Sequence, residues 1–252
     1  MIRVSIVAAL TLSLSCSSSE KASPASDPSN CGPGPYVKLT GHVLEATASG
    51  TGRSKEGVVI TFDVCSDKPF TSDADGTLRG NMTKGLLGAF RAEHPDDIPS
   101  YYGEWKTDAD FEGTVQDVPK LFQGIVAPDF TPDKTLLALG VNYPAGTFDA
   151  GVPDGGPTDT CQRSEGVSYS LPDHPEAKIV YFTTDAVPKP DPSATSTSKN
   201  GIATITGLPD GITVTPVASK AGCKLSSQFD GFTGRAKLVK GYGTILAFQM
   251  TH

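Results

Sequence analysis

Short stretches in which apolar and polar residues alternate dominate the sequence, and this period is the one expected of β-strands with one buried face. Residues 36–46 and 56–64 show the pattern most clearly in the first part of the chain. The apolar positions of these two stretches are Val37, Leu39, Val43, Val58, Ile60, Phe62 and Val64. We therefore predict a strand over each stretch, with these side chains in a core.

Four later stretches predict further strands in the second part of the chain. They cover residues 135–141, 165–171, 178–182 and 244–250. In the second of these stretches the positions predicted to face inward are Val167, Tyr169 and Leu171.

A helical pattern occurs between these two groups of strands. The apolar residues Val115, Val118, Leu121, Phe122 and Ile125 approximate a helical stripe. Pro119 disfavours helix at the residue before it and suits a first helical turn. We therefore predict that residues 113–132 are a connector with a short helix that begins near Pro119.

A phrase rich in turn residues occurs twice. The clearer copy covers residues 196–218, where Asn200-Gly201 can form a tight turn and a second turn follows at residues 207–211. A degraded copy covers residues 71–78 and 85–92. Because the predicted strands precede both copies in the same order, the sequence indicates an internal repeat. We predict one small β domain over residues 35–112 and another over residues 133–252.

The order of these motifs resembles that of the carboxypeptidase regulatory-like domain. A Gly-x-Val phrase and a Gly-Val-x-Val-type strand precede a Thr-Ser-x-x-(Asp/Asn)-Gly turn and a Gly-Leu-Pro turn, whose proline the first copy lacks. The resemblance covers residues 36–100 and 135–250. It implies an all-β fold of two tandem transthyretin-like or Ig-like β-sandwiches, with the short helix between them. It also implies a non-catalytic role, since the zinc-binding catalytic domain of carboxypeptidases has no counterpart in the sequence.

The N-terminus is typical of an exported protein. Arg3 is the only charge before the apolar run Val4–Leu14, which is too short for a stable membrane anchor and suits a signal peptide. We predict that residues 1–15 are this signal peptide. Residues 16–34 are rich in Ser and Pro and contain almost no bulky apolar side chains, which predicts a flexible tether.

Residues 12–16 resemble a bacterial lipobox that ends at Cys16. The resemblance implies export across the inner membrane and lipid modification of Cys16. Ser17, rather than an aspartate, follows the cysteine, which implies sorting to the outer membrane. Ser13 departs from the pattern, and cleavage by the ordinary signal peptidase is the alternative.

The remaining four cysteines are an even number in a chain predicted to reach an oxidising compartment, which favours disulfides. Three pairings are possible. Two cysteines fall in each half of the chain, so we favour Cys31–Cys65 and Cys161–Cys223. A zinc site is the alternative, and the absence of CxxC or HxxxH spacing disfavours it.

The formal net charge of −7 argues against nucleic-acid binding, because the chain has no basic stripe to neutralise phosphates. No Gly-x-Ser-x-Gly elbow is present to support a serine nucleophile. We therefore predict a non-enzymatic cell-envelope lipoprotein with no cofactor and no metal. Its role would be structural, or the binding of a surface protein or polysaccharide.

A carbohydrate-binding surface module is the alternative function. Tyr101, Tyr102 and Trp105 form an aromatic cluster, and Trp105 is the only tryptophan. Neighbouring strand residues point to opposite faces, so at least one of the two tyrosines is expected to face outward. The other interpretation is that Trp105 is a core residue that caps the first sandwich against residues 119–125.

A metal-dependent hydrolase is a more remote alternative. His94 and His174 each precede a proline and are flanked by acidic residues, which suits a divalent metal, although no spacing places them in one site. Asp73-Ala74-Asp75-Gly76 resembles part of a calcium loop but lacks the distal glutamate of an EF-hand. We predict that it is a turn.

Overall fold

The computed structural model describes residues 29–45, 52–120, 123–141, 160–185, 187–227 and 232–252. The predicted signal peptide, Cys16 and most of the predicted tether lie outside these residues. Within these ranges the structure contains no helix with the length and hydrophobicity that a membrane crossing requires.

The described chain is almost entirely β-structure, as predicted. The strands of the first half are β1 (Ser29–Cys31), β2 (Tyr36–Glu45), β3 (Arg53–Ser54), β4 (Val59–Phe62), β5 (Phe70–Thr71), β6 (Thr77–Thr83), β7 (Leu87–Glu93), β8 (Ser100–Lys106) and β9 (Phe111–Asp117). The helix α1 (Gln123–Val126) follows them. The strands of the second half are β10 (Leu136–Val141), β11 (Ser168–Ser170), β12 (Val180–Phe182), β13 (Pro190–Asp191), β14 (Ile202–Thr206), β15 (Thr213–Val214), β16 (Val217–Ser219), β17 (Lys224–Ser227), β18 (Ala236–Lys237) and β19 (Gly243–Thr251).

The first half is a sandwich of two sheets. A five-stranded sheet has the order β1-β6-β2-β3, with β9 pairing in parallel with β2. Opposite it lie β4, β5, β7 and β8. Side chains from both layers form one core that includes Val43, Ile60, Leu78, Phe90 and Val115.

The second half has its own core. Strands β10, β12, β14 and β19 form one layer, and the two-stranded pairs β11–β16 and β15–β18 supply the other. Leu139, Ile205 and Leu246 from the first layer pack with Tyr169 and Ala218 from the second. The inward positions predicted in residues 165–171 are therefore correct.

A continuous sheet joins the two halves. Its ten strands have the order β13-β12-β14-β10-β19-β8-β7-β4-β5, and β17 pairs with β19. The last strand of the chain, β19, runs parallel to β8, with Gly243 opposite Ser100 and Ile245 opposite Tyr102. One layer of each sandwich therefore belongs to the same hydrogen-bonded sheet.

The predicted internal repeat has the same hydrogen bonds in both copies. Val43 N donates to the carbonyl of Gly76 at 2.7 Å, and Val141 N donates to that of Gly201 at 3.1 Å. Both glycines have positive φ, 72° and 65°. A Cβ on either would lie within 3.0 Å of that valine's carbonyl oxygen. Glycine is therefore required at the same point of each copy.

The hydroxyl before each turn is also repeated. Ser72 Oγ accepts from Val58 N at 2.9 Å and donates to the Lys55 carbonyl at 2.7 Å. Thr197 Oγ1 accepts from Val167 N at 3.0 Å and donates to the Ser164 carbonyl at 2.6 Å. The Asp73–Gly76 segment is a turn, as predicted, since Asp73 Oδ1 accepts the backbone N–H groups of Asp75 and Thr77.

Two local predictions are wrong. Residues 113–117 belong to β9 rather than to a helical connector, because their buried positions alternate with period two and pair with β2. The helix itself is short and follows Pro119, as expected. Val64, predicted to face inward, is 40% exposed, because β4 ends at Phe62 and residues 63–65 form a 3-10 turn.

Candidate functional site

The aromatic cluster is buried. Tyr101, Tyr102 and Trp105 lie in β8 and expose 3%, 8% and 3% of their surface. The expectation that one of the tyrosines faces outward is wrong, because β8 is an inner strand with β7 on one side and β19 on the other. The cluster therefore offers no open platform for a sugar in this structure.

Each aromatic side chain has a packing role. Tyr101 donates a hydrogen bond to Asp63 Oδ2, and its ring lies against Tyr242 of the second half, with centroids 6.3 Å apart. Tyr102 donates to the carbonyl of Gln116 and stacks on Phe90 with centroids 4.5 Å apart. Burial raises the pKa of both phenols, so they remain neutral donors.

Trp105 closes the core of the first half, although not against the predicted partner. Its ring packs on Phe62 and Phe111, with centroids 6.2 Å and 4.9 Å away. Its backbone forms a β-bridge with Phe232, which comes from the second half. Both Trp105 and Phe232 line an apolar cavity of about 20 Å³, which has room for a water molecule but not for a sugar ring.

The structure confirms the favoured disulfide pairing. Cys31 is bonded to Cys65, and Cys161 to Cys223, with Cα atoms 5.6 Å and 5.5 Å apart. Each bond joins two segments of one half. Disulfides of this kind persist in oxidising compartments, so the fold suits an extracytoplasmic protein.

In the described part of the chain, buried charge is concentrated in a group that we call the Lys55 cluster. Its members are Glu45, Lys55, His94, Asp97 and Asp117. Lys55 Nζ lies 2.9 Å from Oδ1 of Asp97, to which it donates, and 2.8 Å from Oδ2. Nζ also lies 3.4 Å from Oε2 of Glu45 and 3.9 Å from Oδ2 of Asp117.

Backbone contacts of three segments hold the cluster together. Lys55 follows β3, and its N–H donates to the carbonyl of Val43 at 3.1 Å. Asp97 lies in the loop between β7 and β8 and forms a β-bridge with Pro119, while Asp117 ends β9. The side chains of both aspartates are fully buried, and that of Lys55 is 12% exposed.

The two aspartates have opposite protonation tendencies. Burial, followed by the hydrogen bond with Asp97 and then by the negative charges of Asp97 and Glu45, raises the pKa of Asp117 to about 8, although Lys55 opposes this. Burial also acts to raise the pKa of Asp97, but its contacts with Asp117, Lys55 and His94 bring that pKa below its ordinary value. Near neutral pH the site therefore holds one carboxylic acid and one carboxylate.

Lys55 remains an ammonium. Burial acts to lower its pKa, but the hydrogen bond and charge of Asp97, together with the charges of Glu45 and Asp117, raise it overall. Apart from the hydrogen bond that its acid form makes with Asp97, Asp117 has no hydrogen-bond partner for its side-chain oxygens among the described residues. The cluster therefore contains an ion pair beside a buried carboxylic acid that is hydrogen-bonded to the carboxylate of that pair.

The metal interpretation fits this arrangement poorly. His94, Asp97 and Asp117 have potential ligand atoms within 4.8 Å of one another, and they are the one group of this kind in the described part of the chain. However, the ammonium of Lys55 already supplies a cation beside both aspartates, 2.8 Å from Asp97 and 3.9 Å from Asp117. His174 is not a member, and its Nδ1 contacts Glu176 instead, at 3.2 Å. The two histidines flagged in the sequence thus do not share a site.

Among the residues of the cluster, only His94 lies in a sequence pattern that predicts a site. Asp117 carries a signal that could have been used, because it occupies the same alternating phase as the buried Gly113 and Val115. An acidic residue in an inward position of a strand requires a partner. Lys55 carries no such signal, since it follows an exposed two-residue strand.

No protein-family model matches the chain, and no curated protein sequence matches it. Among solved structures, the TIE protein of Bacillus anthracis aligns at 12% identity and a TM-score of 0.24, over 84% of this chain and 33% of that chain. The shaft pilin spaA of Lactobacillus rhamnosus GG aligns at 10% identity and a TM-score of 0.26, over 86% and 98% of the two chains. The minor pilin GBS52 of Streptococcus agalactiae aligns at 15% identity and a TM-score of 0.25, over 86% of this chain and 97% of that chain. The chain thus spans about one third of the length of the first of these proteins.

Proposed function

We propose that the chain is a bacterial cell-envelope lipoprotein whose two carboxypeptidase regulatory-like β-sandwiches serve as a structural or partner-binding unit outside the cytoplasm. Lipidated Cys16 would hold the unit at the outer membrane, and the Ser/Pro-rich tether would separate it from the lipid surface.

The observation that carries the structural part of this proposal is the continuous sheet between the halves. Besides the pairing of β19 with β8, Glu104 N donates to the Arg235 carbonyl at 2.8 Å, and Thr233 N donates to the Glu104 carbonyl at 3.0 Å. Arg235 also pairs with the Glu104 carboxylate at 3.3 Å. Contacts of this kind resist hinge motion, which suits a spacer or scaffold better than a pair of independently moving modules.

The location is supported by two disulfides and by the N-terminal pattern. Each half contains one disulfide bond, so folding requires two separate pairs of cysteines to be oxidised. This requirement is met in the bacterial envelope rather than in the cytosol. Recognition of polysaccharide is not included in the proposal, because the rings on which it depended are buried.

Metabolic labelling with a radioactive fatty acid tests the anchor. The full chain should incorporate label and fractionate with the outer membrane, whereas Cys16→Ser should do neither. A wild-type chain that is exported without label would contradict the lipoprotein assignment.

Crosslinking in intact cells tests the role. A partner that is recovered with the wild-type chain, and lost when the anchor is removed, would support a scaffold at the envelope. Hydrolase activity in the purified, metal-supplemented protein, retained across preparations, would overturn the non-enzymatic proposal.

A further inference from the structure

The Lys55 cluster places a primary amine against two buried carboxyl groups from separate parts of the first half. Both backbone polar groups of Lys55 are hydrogen-bonded. Its N–H donates to the carbonyl of Val43, and its carbonyl accepts from Ser72 Oγ. Asp97 and Asp117 are held next to each other by the bridge to Pro119 and by the bond from Ile98 N to the Val118 carbonyl, 2.8 Å long. The three reactive groups are therefore fixed before any chemistry begins.

We propose that Lys55 and Asp117 condense to form an intramolecular amide bond, with Asp97 acting as the base. This inference goes beyond the proposed function, which requires only the ordinary fold. It assigns a covalent modification site to the first half and a product that would tie the segment after β3 to the end of β9.

The roles of the two aspartates follow from their environments. An amine attacks a neutral carboxylic acid more readily than a carboxylate, and Asp117 is the member of the pair that holds a proton. Asp97 is the ionised member, and its oxygens lie 2.8 Å and 2.9 Å from Nζ, where they can accept protons. Nζ lies 3.9 Å from Oδ2 of Asp117, which is one bond from the carbon to be attacked.

The reaction balances without any further reactant. The ammonium of Lys55 gives one proton to the Asp97 carboxylate, and the freed lone pair attacks Cγ of Asp117 to form the C–N bond. A second proton leaves the nitrogen and joins the Asp117 hydroxyl, which departs as water when the C–O bond breaks. The products are an amide, one water molecule and a neutral Asp97 acid, so no oxidant or reductant is required.

Two physical effects favour the product at this place. The fold holds the amine 3.9 Å from an oxygen of the acid, and holding two reactants close together gives effective molarities that reach roughly 10⁵–10⁸ M in well-oriented systems. Condensation also replaces a buried ion pair with neutral groups, which removes a desolvation cost that buried charges otherwise carry. Both aspartates have no exposed side-chain surface, so bulk water has little access for the reverse hydrolysis.

Peptide mapping of the folded, full-length protein tests the proposal directly. Trypsin cleaves after Arg91, Lys106 and Lys120, so Asp97 and Asp117 fall on different peptides. The mass of the joined peptides therefore shows which aspartate is bonded to Lys55. After reduction and alkylation, we expect the peptides of Lys55 and Asp117 to be joined, with the mass of one water missing and no cleavage after Lys55. Free peptides with complete cleavage after Lys55 would overturn the proposal, and a bond to Asp97 would overturn the assigned roles.

Variants separate the nucleophile from the base. Lys55→Arg should abolish the bond, and Asp97→Asn should slow its formation by about 10²–10⁴-fold, the range for loss of a general base. Lys120→Arg is the matched control, because Lys120 Nζ bonds the Pro95 carbonyl nearby without joining the cluster. Circular dichroism and Trp105 fluorescence establish which variants are folded. A folded Asp97→Asn chain that crosslinks at the wild-type rate would refute the role of Asp97.

Discussion

Gly103 lies where β8 meets the second half, and a methyl group added there should destabilise both halves. An ideal Cβ on Gly103 would lie 2.4 Å from Cδ2 of Leu246 and 3.1 Å from the backbone oxygen of Arg235. Leu246 is 1% exposed in the core of the second half, so it has little space into which to move. Overpacking of this kind costs about 1–3 kcal/mol.

Thermal unfolding of Gly103→Ala measures this cost. One kcal/mol corresponds to roughly 2–4 °C for a domain of about 150–250 residues, so the midpoint should fall by about 2–12 °C. Fluorescence of the single tryptophan reports on the first core, and amide hydrogen exchange in β14 reports on the second. Because β8 and β19 share a sheet, we expect both signals to shift.

Gly124→Ala is the control for Gly103→Ala. Gly124 is exposed in α1, and nothing lies within 4 Å of its ideal Cβ. Alanine there should be neutral or stabilising by up to about 1 kcal/mol, through helix propensity. A Gly103→Ala protein that unfolds like the wild type would refute the packing described between the halves, and a shift confined to the tryptophan signal would refute their coupling.

Three further predictions address the core, the disulfides and the cluster. Trp105→Ala should cost about 3–5 kcal/mol in urea unfolding, as expected of a large core side chain, whereas a surface aromatic would leave the midpoint unchanged on truncation. Replacing both Cys161 and Cys223 by serine should cost about 4 kcal/mol for a loop with a sequence separation of 62; an unchanged urea midpoint would contradict this. In chains that have not folded before, such as protein dissolved from inclusion bodies in urea, amide formation on refolding should slow above about pH 8. The reason is that Asp117, whose raised pKa is about 8, is the electrophilic acid below that pH and a carboxylate above it. A rate that keeps rising to pH 10 would contradict that role.

The fold could be predicted because its main signals are local. Alternation fixes which side chains of β2 and β11 are buried, and the positive-φ glycines at Gly76 and Gly201 mark the repeated turn. The error at residues 113–117 has a physical cause, because spacings of three and four residues also occur by chance in a sequence with a buried strand. These residues form a strand because they pair in parallel with β2, which lies about seventy residues earlier in the chain.

The sites were harder to predict because burial in a sheet depends on which strands become neighbours. Tyr101 and Tyr102 point to opposite faces of β8, as expected, yet both are buried. The reason is that one side of β8 faces the first core and the other lies near Tyr242 and the junction with the second half. No local pattern around residue 101 reveals a partner located 141 residues later.

The two copies of the repeat provide an internal comparison for the role of Lys55. Lys55 and Ser164 occupy the same position in the two copies. The Ser72 hydroxyl donates to the Lys55 carbonyl at 2.7 Å, and the Thr197 hydroxyl donates to the Ser164 carbonyl at 2.6 Å. The turn therefore forms equally well with a small side chain, and the lysine is not needed for the local fold. Its ammonium instead lies among the carboxyl groups of Asp97 and Asp117, whose burial would be costly without it. Since the second copy has serine at this position, the repeat can retain its architecture when the amine is removed. Loss of the amide in Lys55→Arg would therefore report on the cluster rather than on the turn.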